Sequence, residues 1–157
     1  MNGETSARIT AFLDAHHVMS LATCGPQGPH AANVFYVRDG FVLLWVSDPN
    51  SRHSVELKAN HRVAATVAPD YRDFDDVCGV QICGDADCVA GASERRRARK
   101  LLKARYPFLK RLSDGPPAMK DAYESAEVYR LDPLRMVIID NQLGFGHKDM
   151  LDFKTPD

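Results

Sequence analysis

The residues best suited to chemistry lie at positions 47–54, where three hydroxyls, a guanidinium and an imidazole occur close together. They are Ser47, Ser51, Arg52, His53 and Ser54. At the start of a helix, free amides and the helix dipole favour a phosphate or carboxylate. Arginine adds a fork of donors that suits phosphate oxygens. The alternative is that Ser51 only caps the helix and that Arg52 and His53 are solvated surface residues.

The segments on either side of this cluster predict a strand that leads into a helix. Residues 41–46 form an apolar run rich in β-formers, followed by a turn at 48–50, so they predict a buried strand. A short helix is predicted to start near Ser51 and to close at Asn60. The next strand is predicted at 63–67. The cluster would therefore lie at a strand-to-helix junction.

The other strands indicate a small antiparallel barrel. They are predicted at 18–23, 32–37, 77–89, 127–131 and 136–140. Asp39-Gly40 between apolar runs predicts a hairpin, and Gly79 and Gly84 are candidate bulges. We expect a mainly β protein with helices (α+β), with six or seven antiparallel strands in one domain spanning residues 1–157.

Two helices are predicted outside the strand-rich segments. Apolar spacing predicts an N-terminal amphipathic helix through Ile9, Phe12, Leu13 and His16. Thr5 or Ser6 is expected to cap this helix. The second helix is expected to open at Ser93 and to stop at Pro107.

Composition favours a small-molecule partner. The chain has 157 residues, a net charge of −1 and 45% hydrophobic residues. The basic run at 95–105 surrounds an apolar stripe, as on a solvated helix, so no nucleic-acid partner is expected. The sequence shows no secretory pattern, and its apolar runs are shorter than the roughly 20 residues that cross a bilayer. We therefore expect a cytoplasmic protein with no membrane partner.

No metal site is expected from the cysteines. Cys78, Cys83 and Cys88 recur every five residues, a spacing unlike that of zinc ligands, and they are predicted to be small buried thiols. Haem ligation by one of the six histidines stays open, because a single axial histidine has no spacing signature.

Five short blocks spread over the chain carry a family resemblance. They are LAT at 21–23, ANVFY at 32–36, SRH at 51–53, GVQICG at 79–84 and DNQLGFGHK at 140–148. Together they resemble the FMN-binding split barrels related to pyridoxamine 5′-phosphate oxidase, and within them an uncharacterised bacterial branch. The resemblance implies a split β-barrel and a homodimer with its flavin sites at the subunit interface. Residues 140–148, with Phe145 and Phe153, would complete the partner's site.

The resemblance also implies eleven cofactor-binding residues. They are Asn33, Val34, Phe35, Tyr36, Trp45, Val46, Ser47, Ser51, Arg52, His53 and Gln81. Residues 51–53 take the place of a Ser-Arg-Lys turn that holds the flavin phosphate, with histidine where lysine is usual. Residues 45–47 would line the phosphate end, and residues 33–36 would flank the isoalloxazine. Gln81, expected to be a buried amide, would hydrogen-bond the polar edge of the ring.

Two classes of function follow from this resemblance. The first is a flavin-dependent oxidoreductase that uses FMN, with an unidentified substrate and no side chain that stands out as a catalytic acid or base. Pyridoxamine phosphate is not expected as the substrate, because no second basic cluster could hold another phosphate. The alternative is a non-catalytic module that holds a flavin, a haem or another anionic ligand as a carrier or sensor.

Overall fold

The computed structural model describes residues 3–153, and over this range the chain forms eight strands and five helices. The strands are β1 (Val18–Gly25), β2 (Gly28–Phe35), β3 (Val37–Asp39), β4 (Val42–Ser47), β5 (Arg62–Val67), β6 (Cys78–Cys88), β7 (Glu127–Asp140) and β8 (Lys148–Asp152). The helices are α1 (Gly3–Ala15), α2 (Arg52–Leu57), α3 (Ala92–Arg105), α4 (Pro107–Ser113) and α5 (Pro117–Ser125). Within the described range, no helix has the length and apolar character needed to cross a membrane.

The strands form one curled antiparallel sheet. Their hydrogen-bonded order is β2-β1-β5-β6-β7-β4-β3, with β8 paired to β7. β2 and β3 lie at opposite ends of this order, yet only Tyr36 separates them in sequence. Two residue steps span roughly 7 Å at most, so the sheet must curl until its ends approach each other. The predicted α+β split barrel is confirmed, with eight strands in place of six or seven.

The β6–β7 pair explains one error in the predicted strands. The segments at 127–131 and 136–140 were predicted as two strands, but they belong to the single strand β7. β6 pairs with β7 along its length, and the register shifts between Cys83 and Gly84, where Leu134 is the extra residue. Because a bulge absorbs an extra residue, the neighbouring proline does not end the strand. The short strand β8 was not predicted.

The N-terminal helix covers the barrel core. Ile9 and Leu13 of α1 are fully buried, as the helical spacing predicts. The predicted cap is wrong, because α1 already includes Gly3, and Thr5 and Ser6 lie inside the helix. At the other end, the Arg105 guanidinium donates to the backbone carbonyls of Asp14 and His16, at 2.9 and 2.5 Å. These bonds satisfy carbonyls that the helix end leaves free and tie α3 to α1.

A corner between α3 and α4 packs against the outside of the barrel. α3 stops before Pro107, as predicted, but that proline then opens α4, since proline is well suited to the first helical position. Tyr106 joins the two helices and is buried, with its hydroxyl close to the backbone carbonyls of His17 and Tyr36. A second apolar cluster, which includes Leu102 and Leu109, holds this corner beside β4.

Candidate functional site

The hydroxyl and imidazole cluster lies at the junction of β4 and α2. The Ser47 Oγ atom is 2.7 Å from His53 Nε2, and Ser51 Oγ is 3.2 Å from each of those two atoms. His53 is only 8% exposed. Burial lowers the pKa of its imidazole, and the nearby His30 lowers this pKa further. The cluster is therefore a preformed set of polar groups that favours a neutral imidazole when nothing is bound.

Ser51 differs from its predicted role. It stands at the N-cap position of α2, but its side chain makes no capping hydrogen bond. Its hydroxyl instead lies 2.8 Å from the Asp48 carbonyl and 2.8 Å from Ser54 Oγ. These contacts hold the hydroxyl within the polar cluster rather than at the backbone amides of the helix.

The cluster opens into a pocket of about 300 Å³ between the barrel and the α3–α4 corner. Its lining residues are Asn33, Val34, Phe35, Val46, Ser47, His53, Leu102, Tyr106, Phe108 and Leu109. Six of these residues are among the eleven predicted from the family resemblance. The pocket therefore joins the predicted segments of β2, β4 and α2 in one place.

An aromatic wall lies beside this pocket. The Phe35 side chain is 50% exposed, and its ring centroid lies 5.0 Å from that of Phe108 and 5.3 Å from that of Tyr106. Such tilted and edge-on contacts are usual for aromatic pairs, and they leave a large apolar ring facing outward. The wall can pack against a flat aromatic ligand.

Four lining residues were missed by the sequence reasoning. They are Leu102, Tyr106, Phe108 and Leu109, all from the α3–α4 corner. They lie far along the chain from the β4–α2 junction, and no family block covers them. The signal in the sequence is the Tyr106-Pro107-Phe108 segment at the end of an amphipathic helix, of which only Pro107 enters the prediction, as the helix stop.

Arg52 does not line this pocket. Its Nε atom donates to Glu56 Oε1 at 2.8 Å, and its Nη2 atom lies 3.5 Å from the Gly28 carbonyl. Glu56 is buried and also accepts a hydrogen bond from Thr23 Oγ1 at 2.6 Å. The bonds from Arg52 and Thr23 hold the pKa of the Glu56 carboxyl below its usual range. The guanidinium is thus fixed along one edge by a carboxylate.

Two further predicted residues lie in the barrel core. Tyr36 is fully buried and donates its hydroxyl to the Leu13 carbonyl at 2.7 Å. Trp45 is also fully buried, and it stacks on Tyr129 with 5.6 Å between ring centroids. Among residues 3–153, the indole Nε1 of Trp45 is a buried donor without a hydrogen-bond partner. The structure does not bring either side chain to the pocket lining.

Gln81 lies on the outer face of the sheet. The expectation of a buried amide is wrong, because Gln81 is exposed at the centre of β6. It stands opposite Thr66 of β5, which in turn stands opposite Ser20 of β1, and Ser20 stands opposite Asn33 of β2. Three strand spacings, roughly 14 Å along the curved sheet, therefore separate Gln81 from the pocket residue Asn33.

The aromatics near the end of the chain have different environments. Phe145 is 89% exposed and makes an edge contact with Phe74. Phe153 instead packs against Phe41 at the core, with 5.1 Å between ring centroids. Only Phe145 is therefore available to a partner in the way that the family resemblance implies.

The cysteines do not form a buried group. All four are free, and Cys83 and Cys88 are exposed, so the expectation of buried thiols is wrong for these two. Cys83 points to the outer face of β6, and Cys88 lies at the end of that strand. Within residues 3–153, no group of three or more His, Cys, Asp or Glu side chains could hold a metal ion.

Comparison with known proteins extends these observations. The family model described as pyridoxamine 5′-phosphate oxidase matches residues 5–131. A UPF0306 protein of Serratia proteamaculans is 33% identical over 147 residues, covering 92% of this chain and 93% of the relative.

Solved structures show the same fold. A heme binding protein of Mycobacterium smegmatis superposes with a TM-score of 0.72 at 20% identity, covering 94% of this chain and 57% of that one. An FAD-binding protein of Mesorhizobium loti superposes with a TM-score of 0.63 at 18% identity, covering 83% of this chain and 90% of that one. At such identities the likeness establishes the fold alone.

Proposed function

This chain belongs to the pyridoxamine 5′-phosphate oxidase family, and on that basis we propose that it is a cytosolic FMN-binding protein that acts as a flavin-dependent oxidoreductase. One observation carries the proposal. The Ser47 hydroxyl and the His53 imidazole line the same pocket as the aromatic wall of Phe35 and Phe108. A phosphate-bearing flat ring is the kind of ligand that uses both features.

The phosphate end of the flavin is assigned to the β4–α2 junction. The hydroxyls of Ser47 and Ser51 can donate to phosphate oxygens, and His53 can donate once it is protonated. The Nε atom of Arg52 donates to Glu56, and Nη2 makes only a long contact with the Gly28 carbonyl. The Nη groups are therefore the donors that Arg52 can offer to a phosphate. We propose that these groups complete the phosphate contacts, as the resemblance to a Ser-Arg-Lys turn implies.

The isoalloxazine is assigned to the opposite part of the pocket. Phe35 and Phe108 provide the aromatic wall, and Val46 adds an apolar surface. Asn33 lies at the edge of the pocket, where its exposed amide can hydrogen-bond a polar edge of the ring. Val34 also lines the pocket. Tyr36 and Trp45 are proposed to act from the core, by supporting the strands that carry these contacts.

We also propose that two copies of the chain share the flavin sites. The pocket of about 300 Å³ is at the lower end of the range for ligand sites, which fits a site completed by a second chain. The outer sheet face carries a row of uncharged residues that stand opposite one another in register: Ser20, Thr66, Gln81 and Val137. Charged residues are depleted at the centre of protein interfaces. The proposed contact of Gln81 with a flavin ring therefore depends on this dimer.

Bound FMN would supply the electron or hydride transfer, and the protein would supply binding, orientation and electrostatics. His53 and Tyr106 are the titratable side chains that line the pocket. Tyr106 is committed to backbone carbonyls, and burial raises the pKa of its hydroxyl. This arrangement favours chemistry carried by the cofactor over acid–base chemistry by a side chain.

The test is a comparison of FMN with riboflavin, which lacks the phosphate. Purified protein should be yellow or should bind added FMN, measured by quenching of flavin fluorescence. FMN should bind at least about ten-fold more tightly than riboflavin, since charged hydrogen bonds contribute about 1.5–3 kcal/mol. Ser47→Ala should reduce the difference in affinity between FMN and riboflavin, because it removes one phosphate contact. A colourless protein that does not bind FMN at about 100 µM would exclude the flavin assignment.

A non-catalytic binding module is the second candidate. The fold similarity to a heme binding protein favours it, and so does the engagement of both titratable side chains of the pocket, His53 with Ser47 and Tyr106 with backbone carbonyls. Addition of NADH or NADPH without air separates the two candidates. An oxidoreductase that uses these donors should lose its flavin absorbance, whereas a carrier should keep it. Binding of hemin in preference to FMN would support the haem-binding form of the module.

A further inference from the structure

A second pocket, of about 430 Å³, lies at the end of the barrel under α2. It borders α2 through Ser54, Leu57 and Lys58, and it is closed on other sides by the ends of β6 and β7. None of its lining residues lines the proposed flavin pocket. The assignment of FMN therefore leaves this cavity without a role.

Two side chains of opposite charge in this pocket lack partners. Lys58 and Glu127 both line it, and neither side chain makes a hydrogen bond or ion pair within residues 3–153. The other charges are engaged. Arg95 donates to the Ala90 carbonyl at 3.0 Å, and Asp87 lies 2.5 Å from His61 Nδ1.

The same charges act on a thiol in the pocket lining. Burial raises the pKa of Cys88, and the Glu127 carboxylate raises it further, while Arg95 and Lys58 lower it. Both the free cation and the free anion therefore lie close enough to act on the same sulfur atom. The raised pKa keeps this thiol protonated at neutral pH, which makes it a poor nucleophile.

Four of the lining residues are apolar. Leu57 and Val89 are each 2% exposed, and Pro49 and Ala90 extend the same surface. A side group of several carbons can pack against this surface and lose part of its contact with water. The pocket therefore presents a cation, an anion and an apolar floor to one small ligand.

We propose that this pocket binds a small zwitterion with an apolar side group, of the α-amino acid class. Its carboxylate lies toward Lys58, and its ammonium lies toward Glu127. A phosphate would face repulsion from Glu127, and an amine without a carboxylate would leave Lys58 unpaired. A zwitterion offers a charged partner to both side chains at once.

L-Leucine is the probe for this proposal. Isothermal titration of the purified protein should give saturable binding of L-leucine, and isoamylamine and 4-methylpentanoate, which each lack one charge, should bind at least about ten-fold more weakly. No saturable binding of L-leucine up to about 10 mM would overturn the proposal. Equal binding of either single-charge analogue would overturn the zwitterion class.

Variants locate the binding. Lys58→Met and Glu127→Gln should each weaken L-leucine binding by roughly ten-fold or more, because each removes one charged contact. Lys100→Met, at an exposed position on α3 outside the pocket, is the matched control and should leave binding unchanged. Unchanged affinity in both pocket variants would place the leucine elsewhere and overturn the assignment.

The result does not depend on the flavin assignment, since the two pockets share no lining residue. Ser47→Ala should change FMN binding without changing L-leucine binding. Leucine binding that is lost in Ser47→Ala would contradict a separate site.

Discussion

His53 gives the proposed phosphate site a charge that depends on pH. Its imidazole is buried beside Ser47 and Ser51, and burial lowers its pKa below the usual value of 6.5. A phosphate dianion close to the ring would raise that pKa, because opposite charges favour the protonated form. At a pH above the pKa of His53 in the free protein, FMN binding should therefore be accompanied by protonation of His53.

The first prediction is that FMN affinity falls as pH rises. In the window from the lowered pKa of free His53 up to the raised pKa in the complex, one proton is bound on complex formation. The dissociation constant should therefore increase by up to about ten-fold per pH unit. His53→Lys, which supplies a permanent charge, should bind more tightly at about pH 8 and lose this dependence. FMN titrations at several pH values measure both effects.

The lowered pKa of His53 also determines how the stability of the free protein changes with pH. A depressed histidine pKa means that the unfolded chain binds the proton more tightly. Without ligand, the contribution of His53 to stability is therefore lost as pH falls below about 6.5. Two results of the FMN titrations would exclude His53 from the phosphate site. One is a dissociation constant that does not change with pH in the natural protein, and the other is the same pH dependence in His53→Lys as in the natural protein.

Arg52 is the subject of the second prediction. Arg52→Ala should weaken FMN binding by roughly 1.5–3 kcal/mol, because charged hydrogen bonds to the phosphate are lost. The buried Glu56 would also lose its ion-pair partner, so the folded fraction must be checked by circular dichroism. Arg96→Ala, at an exposed site on α3, is the control. An unchanged dissociation constant would show that the Glu56 ion pair is the main role of Arg52.

At the scale of elements, the β6–β7 pair depends on one close approach. A Cβ atom added at Gly84 would lie 2.3 Å from the Asp132 carbonyl and 3.0 Å from Pro133 Cα. Both contacts are with backbone at the bulge, which cannot move aside as a flexible side chain can. The glycine therefore permits β7 to continue past its proline.

The third prediction follows from this contact. Gly84→Ala should lower the free energy of unfolding by about 1–3 kcal/mol, the usual cost of overpacking. Gly3→Ala is the matched control, since nothing lies within 4 Å of its added Cβ and alanine favours the helix. Urea denaturation of both variants measures the difference. Equal midpoints for the two variants would mean that the bulge relaxes to accept the methyl group.

Local sequence signals predicted the positions of strands and helices better than where one strand ends and the next begins. The apolar run at 41–46 and the Asp39-Gly40 turn predicted β4 and its hairpin, because both signals are local. The division of β7 was wrong because the effect of Pro133 depends on its partner strand. The bulge opposite Gly84 is a tertiary feature that no short window contains.

The candidate site was predictable to the same extent. Ser47 and His53 were placed together because one turn of chain joins them. The exposure of Gln81 was not foreseen, because apolar neighbours in a strand do not reveal which face a residue occupies. The contact of Phe108 with Phe35 could not be predicted from the sequence, because it depends on how α4 packs on β2.

At the scale of the whole molecule, the outer sheet face is the proposed site of pairing. Ala64 stands opposite Ala22 on one side and Cys83 on the other, so this part of the face carries small, uncharged side chains. A stable interface of standard size buries about 800 Å² on each partner. Met150 on β8 stands opposite Val137 and extends the uncharged row with an exposed apolar side chain.

The fourth prediction concerns a substitution that should prevent dimer formation without unfolding the chain. The natural protein should sediment as a dimer at micromolar concentration, and Ala64→Arg should sediment as a folded monomer, because Ala64 is exposed in the single chain. Ala104→Arg adds the same side chain at an exposed position on α3 and should remain dimeric. If the copies share the flavin sites, Ala64→Arg should also lose FMN affinity. A monomer that keeps full affinity would instead show that each pocket is complete within one chain, and that Gln81 contacts no flavin.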